Sequence, residues 1–355
     1  MHAFARSHNI PCDLNACNTI DVIYDAAQWT QAHEAVAAMR AAMPAGDPAA
    51  EYEFYEPSEV RERFYVHDGE YAGREEKVHG GMGYFAGSLS AYKFGVGVLK
   101  LCLEKGLNLQ TNTAAVGLER TGNGWIVRIP RGEISARRVV LATNGYTAAL
   151  LKEFQGIIVP MRGQITAQRP GMAVPSGGSL PTSYSMIYEK GYEYMISRPA
   201  GSRFAGDIIM GGGLVRAPAD GLYEYGTTDD ATLNEGISDY LKETTSRYFG
   251  PDWGEDHPEG RIRKEWTGIM GFTPDGFPFV GEMPGQKGLW VSCGFQGHGM
   301  VLCWESARAL VEMLEGREGE ELDSWFPPVF RVSEDRLTKR FEGRLHTSVV
   351  PRAEE

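Results

Sequence analysis

The stretch Cys293–Met300, CGFQGHGM, constrains the fold most. It sits between the short apolar run GLWVS and the long amphipathic run MVLCWESARALVEMLEG. That order reads as buried strand, glycine turn and helix, a unit of an α/β sheet. The helix carries apolar residues Ala307, Leu310, Val311 and Leu314 at spacings that predict one core-facing stripe. Its first turn offers N–H groups without intrahelical partners and the positive end of the helix dipole. Gly294, Gly297 and Gly299 leave backbone uncovered, so a planar or anionic ligand can lie against it. His298 can donate a hydrogen bond to such a ligand. A glycine-capped helix with a loop histidine on a carbonyl is the plainer alternative.

A second junction has the same grammar. Arg138–Tyr146, RVVLATNGY, reads as a strand buried on both faces that ends in Ala142, Thr143, Asn144 and Gly145. Small residues at the carboxyl end of a parallel strand admit a ligand, although Asn-Gly also closes ordinary turns. Taken alone, TPDGFPFVGE (273–282) is a hairpin turn around Pro274–Gly276, and RGQ (162–164) holds a surface arginine.

Around these junctions the periodicity predicts helices over 27–43, 88–106 and 229–248, and a helix-like stretch after Tyr146. It predicts a strand series from Leu107 to Gly145, further strands from Ile157 to about Gly213, and an irregular segment over 46–87. The fold class is therefore mixed α/β, with one domain interrupted by a more antiparallel block.

Composition removes several function classes. With 35 basic and 47 acidic residues the net charge is −12, which argues against nucleic acid and anionic membranes as partners. Five cysteines without a CxxC pair argue against a disulfide framework or a zinc site, so no metal is expected. No signal core or long apolar run appears, and a cytoplasmic location is the expectation. Ser90 and Lys93 fit S-x-x-K, but no KTG, SDN or GxSxG accompanies them, so a serine hydrolase is disfavoured. Nothing in the sequence sets an oligomeric state.

The motifs in order, ATNGY, PMRGQ, YEYMISRPAG, GIMGFTPDGFPFVGE and CGFQGHGM, resemble the FAD-dependent D-amino-acid-oxidase superfamily. The nearest branch is the glycine, sarcosine and gamma-glutamylputrescine oxidase-like group in its fungal form. The resemblance covers about Ile10 to Gly316. It implies a Rossmann-like FAD-binding domain built from 1–45, 88–155 and 266–355, and an antiparallel substrate domain from 46–87 and 156–265. It implies non-covalent FAD bound by Val116, Ala142, Thr143, Asn144, Gly145, Gly271, Asp275, Gly294, Gln296, Gly297, His298, Gly299 and Met300. The helix dipole would favour negative charge at the pyrimidine end of the ring. Tyr188, Tyr194 and Arg198 would face a small amine or amino-acid substrate, with Arg198 pairing a carboxylate. His298, Tyr194 and Arg198 would serve catalysis, in which a hydride leaves a C–H beside nitrogen and the imine hydrolyses.

The chain departs from the family pattern in three places. No segment has a G-x-G-x-x-G after a strand, so the chain is expected to begin beyond that motif and to lack the first FAD lobe. The covalent-flavin cysteine of sarcosine oxidases would fall near Gly268. The oxygen-activating lysine would fall near Ile209 or Met210. Two readings therefore stay open: an amine or amino-acid oxidoreductase, and a truncated homologue that binds without turnover.

Overall fold

The computed structural model describes residues 1–343. In chain order the strands are β1 (Asn15–Ile23), β2 (Glu53–Tyr55), β3 (Gly69–Tyr71), β4 (Arg74–Glu76), β5 (Gly80–Ser88), β6 (Gly117–Thr121), β7 (Gly124–Ile129), β8 (Gly132–Ala136), β9 (Val139–Leu141), β10 (Val159–Gln168), β11 (Ser183–Tyr188), β12 (Gly191–Ser197), β13 (Ile208–Gly211), β14 (Ile262–Phe272), β15 (Phe279–Glu282) and β16 (Leu289–Cys293). The helices are α1 (His2–Ser7), α2 (Ala26–Ala42), α3 (Pro57–Phe64), α4 (Ala91–Glu104), α5 (Thr147–Leu150), α6 (Glu235–Phe249), α7 (Gly299–Leu314), α8 (Glu320–Asp323) and α9 (Glu334–Thr338).

Two compact units result. Unit 1 holds 1–104, 163–222 and 231–267, and unit 2 holds 105–162, 223–230 and the chain from 268. Segments 1–45 and 88–104, expected with the FAD-binding part, fall in unit 1. The reason is β1, which pairs with β11 on one side and β5 on the other and so belongs to the large sheet. Residues 156–162 and 223–230, expected in the substrate part, fall in unit 2. The last part of the expected FAD-binding segment, 344–355, lies outside the described residues.

The sheet of eight strands runs β14–β10–β13–β12–β11–β1–β5–β2. One face buries Ile20, Val22, Tyr184, Met186, Met195 and Met210 against Ile237, Tyr240, Leu241 and Tyr248 of α6. Helix α6 starts at Glu235, later than expected, because the Asn234 side chain accepts the N–H groups of Gly236 and Ile237 and caps it there. Segment 46–87 is ordered rather than irregular: it contains α3, the β3–β4 hairpin and all but the last residue of strand β5. Glycines hid β5, and they are there for packing. A Cβ on Gly80 would stand 2.5 Å from the Trp29 ring, on Gly81 2.7 Å from Ile20, and on Gly83 2.8 Å from Tyr55. LNLQTN, expected as a strand, is not one.

Unit 2 has two sheets of three strands, β15–β16–β9 and β6–β7–β8. Strand β9 runs parallel to β16, with Leu289 opposite Val139 and Val291 opposite Leu141. Val139 and Leu141 are buried but Val140 is 44% exposed, so the strand is not covered on both faces as its sequence suggests. It lies at the sheet edge and buries only alternate side chains. Helix α7 buries Ser306, Ala309, Leu310 and Met313, a stripe one residue removed from the expected one, and Val311 is exposed. Val280 and Trp290 of the sheet receive it. No helix of the described residues is long and apolar enough to cross a membrane.

Candidate functional site

In unit 2 three backbone segments meet: the end of β9, the end of β14, and the turn from β16 into α7. Asn144 is the brace. Its φ of +43° turns the chain, and its Oδ1 accepts the N–H groups of Gly294 and Phe295, each at 3.0 Å. The Gln296 N–H donates to the Gly271 carbonyl at 2.9 Å, and its Nε2 donates to Thr273 Oγ1 at 2.6 Å. Close approach explains three glycines. A Cβ on Gly145 would stand 2.6 Å from the Met270 carbonyl oxygen, on Gly271 2.9 Å from the Gly145 nitrogen, and on Gly294 2.6 Å from Thr273. These glycines therefore serve backbone contact within the protein. Gly297 and Gly299 differ, since the nearest atoms to their Cβ positions lie at 3.4 and 3.7 Å.

Beyond the brace the backbone opens. His298 is the N-cap of α7, makes no side-chain cap bond and is exposed; Met300 is 45% exposed. The N–H groups of Val301 and Leu302 both point to the His298 carbonyl. Among the described residues the N–H groups of Gly299 and Met300 have no partner. Two free donors at the positive end of a sixteen-residue helix favour an anionic or electron-rich ligand edge, which fits the flavin ring. Ala142 is exposed at the end of β9, and Thr143 bonds Thr147 Oγ1 at 2.9 Å. Burial pushes the Cys293 thiol up to about 12, so it is no nucleophile.

Two expected FAD contacts are committed elsewhere. The Asp275 carboxylate receives both Nε and Nη2 of Arg336, at 2.8 and 2.9 Å, and Arg336 also reaches the Phe277, Pro278 and Arg331 carbonyls. These bonds hold the carboxyl of Asp275 below its ordinary value despite its desolvation, and fasten α9 to the turn. The Val116 N–H is taken by the Arg128 carbonyl at 2.8 Å, while its side chain is 64% exposed. Arg336 has no sequence signature; only folding shows it.

In unit 1 the expected substrate residues separate. Tyr188 points to the α6 side, where its ring stacks on Tyr24 at 5.0 Å and its hydroxyl bonds Tyr248. It is half-buried and packs against the core. Tyr194, on the other face of the sheet, is 39% exposed, with its ring over Gly211. Arg198 lies 3.7 Å from Asp13 Oδ2, and Lys93 Nζ holds the same carboxylate at 2.7 and 2.8 Å. Lys93 is thereby engaged, and the S-x-x-K pair with Ser90 amounts to a helix start in which Ser90 Oγ accepts the Lys93 N–H at 3.4 Å. Near Tyr194 the sequence reading missed Asp21, which is 8% exposed and accepts the Tyr84 hydroxyl at 3.3 Å. Burial pushes its carboxyl up to about 6 against the lowering effect of Ser185 and Tyr84. The signal was a lone Asp inside the apolar strand run TIDVI. Among the described residues no group of acidic, histidine or cysteine side chains could hold a metal.

Residues 1–313 match the DAO family, described as FAD dependent oxidoreductase. The glycine oxidase of Pseudomonas aeruginosa is 28% identical over 216 residues, 60% of this chain and 51% of that protein. A D-amino acid dehydrogenase of Cereibacter sphaeroides is 27% identical over 235 residues, 64% of this chain and 47% of its own length. The chain thus spans about half the length of the curated relatives it matches. Its fold matches the crystal structure of glycine oxidase from Geobacillus kaustophilus, with a TM-score of 0.71 and 17% identity over 94% of this chain and 80% of that one. A mixed α/β chain with a flavin-type strand–turn–helix defines the class. The chain belongs to the DAO family of FAD-dependent oxidoreductases, and FAD is that family's cofactor.

Proposed function

We propose that the protein oxidises a C–N bond of a small amine or amino acid to an imine. The observation that carries this reading is the free N-terminus of α7, where Gly299 and Met300 present unpartnered N–H groups beside an exposed His298. The relatives' names, glycine oxidase and D-amino acid dehydrogenase, supply the substrate class. When bound, FAD supplies the acceptor for the hydride that leaves the carbon next to nitrogen.

The chain's own residues have distinct parts. Asn144 and Gln296 fix the turn so that the helix N-terminus is aimed before any ligand arrives. The two N–H groups and the helix dipole would stabilise negative charge on a bound ring. His298, exposed beside them, would donate a hydrogen bond to a bound ring. Gly297 and Gly299, with no close atom at their Cβ positions, let a flat ring approach the backbone. Lys93 and Arg198 share a single carboxylate, which leaves net positive charge to attract a substrate carboxylate. Tyr188 and Asp275 have structural parts instead.

The test is an FAD titration of the purified chain followed by visible absorbance, then addition of amines and amino acids without oxygen. A bound-flavin spectrum that bleaches on adding substrate is the expected result. No bound flavin at saturating FAD sinks the reading and leaves a non-catalytic homologue.

A further inference from the structure

The buried acids of this protein follow a rule with one exception. Asp207 is bonded by Arg263 and Glu224 by Arg162, while Glu193 accepts the Tyr248 hydroxyl and has Arg247 and Arg216 acting on it at longer range. Each of these three has an arginine bonded to it or nearby, as the cost of burying a charge demands. Asp21 is also buried, at 8% exposed, yet among the described residues no Lys, Arg or His pairs with it. Its partners are the neutral hydroxyls of Tyr84 and Ser185.

Its setting points to a ligand. Strand alternation puts Asp21 on one face of the sheet with Met82 of β5, Ser185 of β11 and Tyr194 of β12. Among the described residues of β5, β1, β11, β12 and β13, no other side chain on this face is charged. The titratable neighbours there are Cys17, Tyr84, Tyr192 and Tyr194. Tyr192 and Tyr194 are 37% and 39% exposed, with ring centroids 6.2 Å apart. A carboxylate, hydroxyls and open aromatic faces are the groups that hold an ammonium ion.

We infer that Asp21, with the Ser185 and Tyr84 hydroxyls that bond it, forms a subsite for a cationic nitrogen, and that it selects substrates with a second amino group. The inference rests on the amine-oxidising reading above. The nitrogen undergoing oxidation must offer its lone pair and so is uncharged when it reacts. An ionic anchor therefore suits a second nitrogen that keeps its proton, as in a diamine or a basic amino acid.

The test titrates the full chain with n-butylammonium and 1,4-diaminobutane by calorimetry, with butyrate and n-butanol as controls, in the presence and absence of FAD. Wild type should bind the two amines and neither control, and Asp21→Asn should bind the amines at least about tenfold more weakly. A second readout needs no variant: carbon NMR of the Asp21 carboxyl should show its titration midpoint, about 6, fall when butylammonium is added. Amine affinity within twofold of wild type in Asp21→Asn, butyrate binding as well as butylammonium, or an unmoved carboxyl titration overturns the subsite. A chain that takes up FAD and ignores the amines refutes the subsite alone. One that binds the amines through Asp21 but takes no FAD supports the subsite and refutes the proposed reaction.

Discussion

Strand β5 and the turn at 294–299 are both glycine-rich, and they use glycine for different ends. In β5 the glycines make room for the protein's own side chains: Trp29, Ile20, Tyr55 and His2 fill the places a Cβ would take. In the turn, Gly294 is packed against Thr273, but the space opens through Gly297 to Gly299. Glycine content is thus no guide to a ligand; the neighbour at the Cβ position is. The charged groups divide in the same way. Asp275 is consumed by Arg336, a bond internal to the fold, while Asp21 is left with neutral donors only.

The sharpest way to break the contrast is Gly80→Val. The added side chain must enter a ring already 2.5 Å from the Cβ position, and unfolding by denaturant should show a loss of about 3 kcal/mol. Asp21→Asn should act in the opposite sense. The folded carboxyl titrates near 6 against an ordinary 3.8, so the native state binds the proton more tightly. Stability contributed by Asp21 is then full below about pH 4 and falls as pH rises toward 6. The variant should be more stable than wild type by roughly 2 to 3 kcal/mol at pH 8, with the difference vanishing near pH 3. Thermal melts across that range check both the sign and the window.

Gly294→Ala meets Thr273 at 2.6 Å and forces a φ of +75° on an L side chain, so a loss of about 2 kcal/mol is expected in denaturant unfolding. Asn144→Gly keeps the backbone turn but deletes the acceptor of two N–H groups, which should cost about 1 to 2 kcal/mol and weaken FAD binding in the same absorbance titration. The smallest effect on stability belongs to Gly299→Ala, under about 0.5 kcal/mol, because the nearest atom is 3.7 Å away. If the open end of the turn faces a ring, this silent variant should still lose FAD affinity. Equal affinity there would erase the distinction between the two glycine regions.

The sequence by itself determined the class of protein and the local elements with strong period. Helices α2, α4 and α7, the strand β16 and the junction CGFQGHGM are legible because apolar spacing and glycine position are local properties. The resemblance carried by that junction agrees with the family match over residues 1–313. Only tertiary structure decided the rest. It gave 1–45 to the large sheet, because strand pairing by β1 joins residues more than 160 positions apart, as in the Thr19 hydroxyl bond to the Ser183 carbonyl. It packed Tyr188 against a core and put Tyr194 on an open face, a difference of strand parity relative to partners that no single strand contains. It also told the paired acids from the unpaired one. Asp275 finds Arg336 across 61 positions, and Asp21 finds no cation at all among the described residues. Whether a charge is satisfied depends on which side chains the whole chain brings within a few ångströms, and a sequence read locally does not hold that information.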